Sequence, residues 1–338
     1  MNQAEKNRIC ELIKQNEKTE IVINYTLKSG AAKRASKIGG KPDVPKDFEW
    51  PVYEGKDFED IRKERPLSFI IQINLKDVAP YDKEELLPKQ GILSFFYEMR
   101  SMDYGYDPAN KGCAKVYYFP DENELEAMDF PAELEKDAII SEMKIVRIKN
   151  ERSLPVYEQL LPDLEKLKKT EGIVCDDLDD YDECLQSCGV PIFEEGMEYY
   201  YEWAYRRIKL LGNPDVLQGR MEEECEGVTR GYYLGRGWQD VPEQEREEIW
   251  EKGKDWMLLF QVGTIDGYDD EYRWEYQGNL YFWIKKQDLK MRNFENVWLI
   301  LQCLLKIKES GTFRLFYFSH RKSIIDSSEN VQNSMECE

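Results

Sequence analysis

The chain has 338 residues, of which 41% are hydrophobic and 13% aromatic, so it can bury a large core and is not disordered throughout. Its 67 acidic and 47 basic residues give a net charge of −20, which repels nucleic-acid phosphates and anionic lipid. The single histidine, His320, excludes mechanisms that need two imidazoles and most histidine-rich metal centres. We therefore expect neither nucleic-acid nor membrane binding.

The cellular compartment is predicted from the first residues and the cysteines. Residues 1–17 mix acids and bases with Ile9, Leu12 and Ile13, unlike the charged-then-apolar order of a secretory signal. The longest apolar stretch, 297–305, is far shorter than the roughly 20 residues of a membrane helix. Eight cysteines are spread thinly, unlike the dense pairing of small secreted scaffolds. We expect a cytoplasmic protein with reduced thiols.

The first part of the chain predicts a helix followed by strands. Apolar residues at three-to-four spacing predict a helix over 2–15, and β-branched residues predict a strand over 20–27. Between 37 and 66 the pattern disappears and prolines and glycines predict one long loop. Further predicted elements are strands over 67–75, 91–99, 113–119 and 142–149, with a short helical segment at 75–87.

In the second part of the chain, the sequence pattern predicts helices first and strands afterwards. Helices are predicted over 156–169 and 194–207, the latter rich in aromatic residues. Strands are predicted over 256–263, 278–285 and 297–304. The fold class that follows is α+β, with mainly antiparallel sheets.

Two stretches of the chain correspond at an offset of 172 residues. Residues 37–44 match 209–216 at a Lys, a Gly, a Pro, an Asp and a Val, and Gly212 stands where Gly40 does, since 212 − 40 = 172. Gln72 and Gln261 then recur in similar apolar strands at the longer offset of 261 − 72 = 189, which fits an insertion in the later copy over 220–239. This pattern predicts an internal duplication, and chance recurrence of short blocks remains the alternative.

The duplication predicts one pseudo-symmetric domain over 1–305. Its halves span about 20–150 and 206–305, with a helical connector at 151–205 and a partly disordered extension at 306–338. The strand pairs 67–75 with 91–99 and 256–263 with 278–285 should both be antiparallel and should superpose by a two-fold rotation. The sequence does not predict an oligomeric state.

Ordered blocks along the chain resemble the YwqG-like family of uncharacterised bacterial proteins. They include Ser36-Lys37-Ile38-Gly39-Gly40-Lys41-Pro42, Trp50-Pro51, Pro66-Leu67-Ser68-Phe69-Ile70-Ile71-Gln72-Ile73-Asn74-Leu75, Gly91-Ile92-Leu93-Ser94-Phe95-Phe96-Tyr97, Phe282-Trp283-Ile284 and Leu301-Gln302-Cys303. The resemblance covers roughly residues 36–303 in patches and implies a fold and a cytoplasmic bacterial origin, but no reaction. One departure is Tyr276, which stands where the family often has an Asp.

Candidate binding residues are one glycine and several polar or aromatic side chains in these blocks and in the later strands. A buried amide in an apolar strand needs hydrogen-bond partners, so the glutamines either hold a neighbouring loop backbone or contact a polar ligand. Tryptophans either line a pocket or pack in the core. The candidates are Lys37, Gly40, Trp50, Gln72, Asn74, Gln261, Trp274 and Gln302.

The sequence predicts no metal site, no cofactor and no catalytic residue. The acidic run over 176–183 lacks the glycine of an EF-hand loop, and Cys175, Cys184 and Cys188 lack zinc-ribbon spacing. The Gly-Gly-Lys-Pro step has Pro42 where a P-loop has a hydroxyl. His320 is the single histidine, so residues 1–319 contain no histidine that could activate a Ser or Cys nucleophile.

Two functions are compatible with this sequence. The first is a non-enzymatic binding protein whose acidic segment, residues 176–202, attracts a basic protein partner, unless this charge serves only solubility. The second is an enzyme or small-ligand-binding protein that uses a cleft between the two halves.

Overall fold

The computed structural model describes most of the chain. The described residues are 1–57, 59–175, 178–189, 204, 206–266, 271–272, 274, 278–303, 305–309 and 312–316. Most of the helix expected over 194–207, the aromatic residues within it, Tyr276, His320 and much of the acidic segment lie outside the described residues.

Helices flank a large sheet. The first helix begins after Asn2, whose side-chain oxygen accepts from the amides of Ala4 and Glu5, while Glu5 accepts from the Asn2 amide. This reciprocal cap satisfies amides that have no partner inside the helix. The helices are α1 (Gln3–Gln15), α2 (Leu75–Val78), α3 (Tyr157–Glu171), α4 (Leu178–Ser187), α5 (Glu222–Thr229), α6 (Glu243–Gly253) and α7 (Lys286–Lys290). Among the described residues no helix is long and apolar enough to cross a membrane.

Ten strands form one antiparallel sheet. They are β1 (Lys18–Thr26), β2 (Lys37–Ile38), β3 (Ser68–Asn74), β4 (Ile92–Tyr97), β5 (Ala114–Phe119), β6 (Met143–Ser153), β7 (Ile208–Leu211), β8 (Trp256–Val262), β9 (Gly278–Lys285) and β10 (Trp298–Cys303). Their order across the sheet is β10–β9–β8–β7–β1–β6–β2–β3–β4–β5. Helices and antiparallel strands are thus both present, as the sequence predicts.

The strand order has the same arrangement on both sides of its centre. β1 and β6 pair at the middle, β1 continues to β7, and β6 continues to β2. Both predicted strand pairs, β3 with β4 and β8 with β9, are antiparallel, and each contains one unpaired residue, Ile70 and Leu259. β1 therefore lies beside the strands of the later half, and β6 beside those of the earlier half.

The prediction of one long loop over 37–66 is wrong. This stretch contains β2, a two-residue strand at Asp43–Val44 that pairs with Glu126–Ala127, and a ribbon formed by Val52–Lys56 and Arg62–Pro66. Strands of two residues are too short to show a period of two, and the ribbon is largely exposed, so neither produces an apolar pattern. Two more ribbons pair Ile265–Asp266 with Glu271–Tyr272, and Leu305–Glu309 with Thr312–Phe316.

The main core lies inside the curled sheet. Phe95 of β4 and Phe260 of β8 are six strands apart in the sheet order, yet their ring centroids are 4.3 Å apart. Side chains from both flanks of the sheet therefore fill one interior. The sheet is nearly closed, and the apolar area buried inside it is the main source of stability.

The outer face of the sheet is covered differently in the two halves. Helices α5 and α6 cover Trp256, Tyr281 and Trp283. On the earlier half, Phe48 and Trp50 cover Phe69 and Phe96. The helices α1, α3 and α4 form a separate cluster with several buried cysteines.

Candidate functional site

Two of the candidate side chains, Lys37 and Gln72, belong to one buried cluster on the earlier half. Lys37 of β2 lies directly across from Gln72 of β3. Since Ile71 and Ile73 point into the core, Gln72 points to the outer face. There Lys37 Nζ lies 3.1 Å from Asp43 Oδ2, and Gln72 Nε2 donates to the same oxygen at 2.7 Å.

A turn at Gly40 brings Asp43 over Gln72. Gly40 has φ of +68°, and a Cβ there would lie 2.8 Å from Glu142 Cβ, so only glycine fits without rearrangement. After the turn the backbone amide of Asp43 donates to Gln72 Oε1 at 2.9 Å, and Gln72 Nε2 also donates to Ala35 O. Gln72 thus holds the loop on both sides of the turn.

The later half contains a corresponding cluster. Lys209 of β7 lies across from Gln261 of β8, and its Nζ is 2.8 Å from Asp215 Oδ1. The Asp215 amide donates to Gln261 Oε1 at 2.9 Å, and Gln261 Nε2 donates to Asp215 Oδ2 at 2.8 Å. The turn here is at Gly212, with φ of +78°. The same Lys, Asp and Gln interactions therefore occur in each half.

The later cluster contains two further charges. Glu20 of β1 accepts from Arg207 and, at 2.9 Å, from Lys209, and Arg207 also donates to Asp215 at 3.0 Å. All four side chains are buried. Burial alone raises the pKa of Glu20, but Lys209 and Arg207 outweigh it and lower the pKa to about 2. Two acids and two bases balance, so the cluster is compatible with burial.

The remaining amide candidates, Asn74 and Gln302, are also hydrogen-bonded to backbone groups. Asn74 accepts from the Lys76 amide as the cap of α2 and donates to Arg34 O at 2.9 Å. Gln302 accepts from the amides of Leu217 and Gln218 and donates to Gly219 O at 2.9 Å. Each amide is thus engaged with a neighbouring loop or helix end.

The two tryptophan candidates pack in apolar clusters. Trp50 Nε1 donates to Leu67 O at 2.9 Å, and its ring contacts Phe96 on the outer face. Trp274 Nε1 donates to Gly263 O at 2.8 Å, and its ring lies in the main core against Tyr97.

The structure does not bring all the candidates to one place. Lys37, Gly40 and Gln72 meet in the earlier cluster, whereas Gln261 belongs to the later one. Four strands lie between Gln72 and Gln261 in the sheet order, a path of roughly 24 Å measured along the curled sheet at ordinary strand spacing.

Sequence reasoning did not assign a role to Asp43, Asp215, Lys209, Glu20 or Arg207. The repeat alignment already contained the signal for three of them, because Asp43 matches Asp215 and Lys37 matches Lys209. No comparable signal marks Glu20 or Arg207. Within the described part of the chain, no group of three or more His, Cys, Asp or Glu residues could hold a metal ion.

Comparison with known proteins identifies the family. The family described as a domain of unknown function, DUF1963, matches residues 36–303, from the residue before β2 to the last residue of β10. No curated protein matches the chain. Because the match covers well over half of the sequence, the chain belongs to the DUF1963 family.

Proposed function

We propose that the chain is a non-enzymatic binding protein of the bacterial cytoplasm, related to the YwqG-like proteins. The proposal is supported by the hydrogen bonds that the buried candidate glutamines make within the protein. Gln72 and Gln261 are 0% exposed, and both polar atoms of each amide are hydrogen-bonded within the protein. Such groups stabilise loops, and they are not available to orient a substrate.

We also propose that the two halves arose by internal duplication. Support comes from the matching Lys, Asp and Gln interactions, from the unpaired residue at the same place in β3 and β8, and from the matching strand order. An interaction that stabilises the turn in one copy would be retained in the other.

The partner that we propose is a basic protein attracted by the acidic segment 176–202. This segment contains ten acidic residues and no Lys or Arg. In its described part, Glu183 pairs with Lys6 at 2.5 Å and Asp180 lies 3.9 Å from the amino terminus, so these two acids also tie α4 to α1. The segment's other acids supply the field that would attract a partner.

A pull-down with charge-matched variants tests the partner. The first variant carries Asp176→Asn, Asp177→Asn and Asp179→Asn. The control carries Glu243→Gln, Glu247→Gln and Glu251→Gln on α6, so both variants change the net charge equally. We expect the native protein and the control to retain the same basic protein from bacterial extract at low salt, and the first variant to lose it.

High salt should release this protein, because exposed charges are screened within about 10 Å at 0.1 M salt. Retention by all three proteins alike, or no basic protein with the native chain at low salt, would contradict the proposed partner.

A second candidate function is an enzyme or small-ligand-binding protein that uses a cleft between the halves. The observation that favours it is a surface cleft beside Arg292, at the junction of the two halves. The candidates Gln72 and Gln261 do not line this cleft. A metabolite that raises the melting temperature would favour this function, because a ligand that binds only the folded state stabilises it.

A further inference from the structure

The cleft lies where the two edges of the curled sheet approach each other. It has a volume of about 420 Å³, and its lining includes Leu87, Pro88 and Tyr118 from the earlier half and Arg292 from the later half. Many small-molecule sites have volumes of roughly 300–1,000 Å³. The cleft is therefore large enough for a small organic molecule.

Contacts across the sheet edges hold the walls of the cleft in place. The Leu301 amide of β10 donates to Tyr104 O at 3.0 Å. Nearer the cleft, the rings of Tyr118 and Phe294 lie 5.5 Å apart, and the Tyr118 hydroxyl donates to Gln90 O at 3.1 Å. The aromatic wall is thus fixed before any ligand arrives.

Among the described residues, the cations Lys89 and Arg292 line the cleft, and Lys89 has an acidic partner there. Lys89 Nζ donates to Glu85 at 2.7 Å. Arg292 is exposed and has no carboxylate partner among the described residues, whereas Arg8, Arg62 and Arg152 each pair with one. The charged lining therefore carries one net positive charge on a chain whose net charge is −20.

The backbone at both rims of the cleft is unusual. Glu85 has φ of +51° and Arg292 has φ of +58°. Side chains other than Gly, Asn and Asp seldom adopt this left-handed region, and such strain is concentrated at functional sites. The Arg292 amide donates to Leu289 O at 2.9 Å, which anchors this turn at the end of α7.

We propose that this cleft binds a small organic anion. The anionic group would lie on the Arg292 guanidinium, which matches a carboxylate or a phosphate by paired hydrogen bonds, with Lys89 adding charge. The apolar part of the ligand would pack against Tyr118, Leu87 and Pro88. This proposal rests on the second candidate function above, since it assigns a ligand class to the same cleft, and the site is separate from the acidic segment proposed to bind a partner.

Ligand-detected NMR titration of the full chain tests the site with defined probes. Benzoate and phenyl phosphate supply the two anionic groups on the same ring, and benzamide is the neutral control. We expect saturable binding of at least one anion, with a dissociation constant on the order of 1 mM for so small a molecule. Benzamide should bind at least about tenfold more weakly.

Three variants locate the bound anion. Arg292→Gln and Lys89→Gln each remove one cation of the cleft, and Arg236→Gln removes an exposed arginine elsewhere as the matched control. We expect Arg292→Gln to weaken anion binding about tenfold or more, Lys89→Gln to weaken it less, and Arg236→Gln to leave it unchanged.

The relative affinities of benzoate and phenyl phosphate show whether the site prefers carboxylates or phosphates. Absence of saturable binding by both anions overturns the proposal. Equal affinity of the native protein and Arg292→Gln, or of benzoate and benzamide, overturns it as well. None of these results bears on retention of a basic partner, so the two proposals fail separately.

Discussion

The two buried glutamines show what residue patterns can and cannot predict. Their recurrence in matching strands predicts one structural task performed twice, and each glutamine does hold a loop amide. The partners could not be assigned from spacing, because Asp43 is 29 residues from Gln72 and Asp215 is 46 residues from Gln261. Only the folded turns bring these groups together.

Gln261→Leu should destabilise the protein by about 2 kcal/mol, because the buried Asp215 amide loses its acceptor. Gln244→Leu, at an exposed position of α6, is the matched control and should change the stability by less than about 0.5 kcal/mol. Urea unfolding followed by tryptophan fluorescence measures both. Equal stabilities of the two variants would show that the amide contributes little.

Because of Glu20, the free energy of unfolding should depend on pH in the acid range. Its folded-state pKa of about 2 lies below the ordinary value of 4.5, so its stabilising effect is complete above about pH 5 and is lost as the pH falls towards 2. The shift corresponds to about 3 kcal/mol.

Glu20→Gln should therefore be less stable than the native protein at pH 7, and the difference should shrink between pH 5 and pH 2. Glu133→Gln, at an exposed acid, should follow the native curve. Urea unfolding at several pH values provides the measurement, and a constant difference between native and Glu20→Gln would contradict the assignment.

At the scale of elements, long apolar strands could be predicted and short polar ones could not. The strand predicted over 256–263 corresponds to β8, at Trp256–Val262, because six of its seven residues are apolar. β2 has only two residues, and its place in the sheet depends on pairing with β3 and β6. Such pairing depends on residues that are distant in the sequence, so a local sequence pattern does not predict it.

The turn at Gly212 should not tolerate a side chain. Gly212→Ala would place a Cβ 2.6 Å from Glu20 Cβ in a backbone with φ of +78°, so we expect a loss of about 2 kcal/mol or more. Gly219→Ala is the matched control in the same loop, since nothing lies within 4 Å of its Cβ. Thermal unfolding compares them, and a control that loses as much stability as Gly212→Ala would contradict this explanation.

For the whole molecule, the sequence could predict the antiparallel pairs but not how the halves join. β1 and β6 pair at the centre of the sheet, where β1, from the earlier part of the chain, continues to β7 of the later part, and β6 continues to β2. Both strands are half-exposed with mixed composition, so their residues do not specify which neighbour they pair with. The pairing is set by the shared core, where Phe95 meets Phe260 and Phe282.

This shared core predicts that the sheet unfolds as one unit. Phe260→Ala should cost about 3–5 kcal/mol, and it should lower amide protection in β3 and β4 as much as in β8, because Phe95 loses its neighbour. Phe69→Ala, in the outer cluster of the earlier half, should likewise lower protection in β8 and β9. Hydrogen exchange with mass spectrometry measures each strand. If each substitution affects only the strands of its own half, then the two flanks of the sheet fold independently, and the common interior does not couple them.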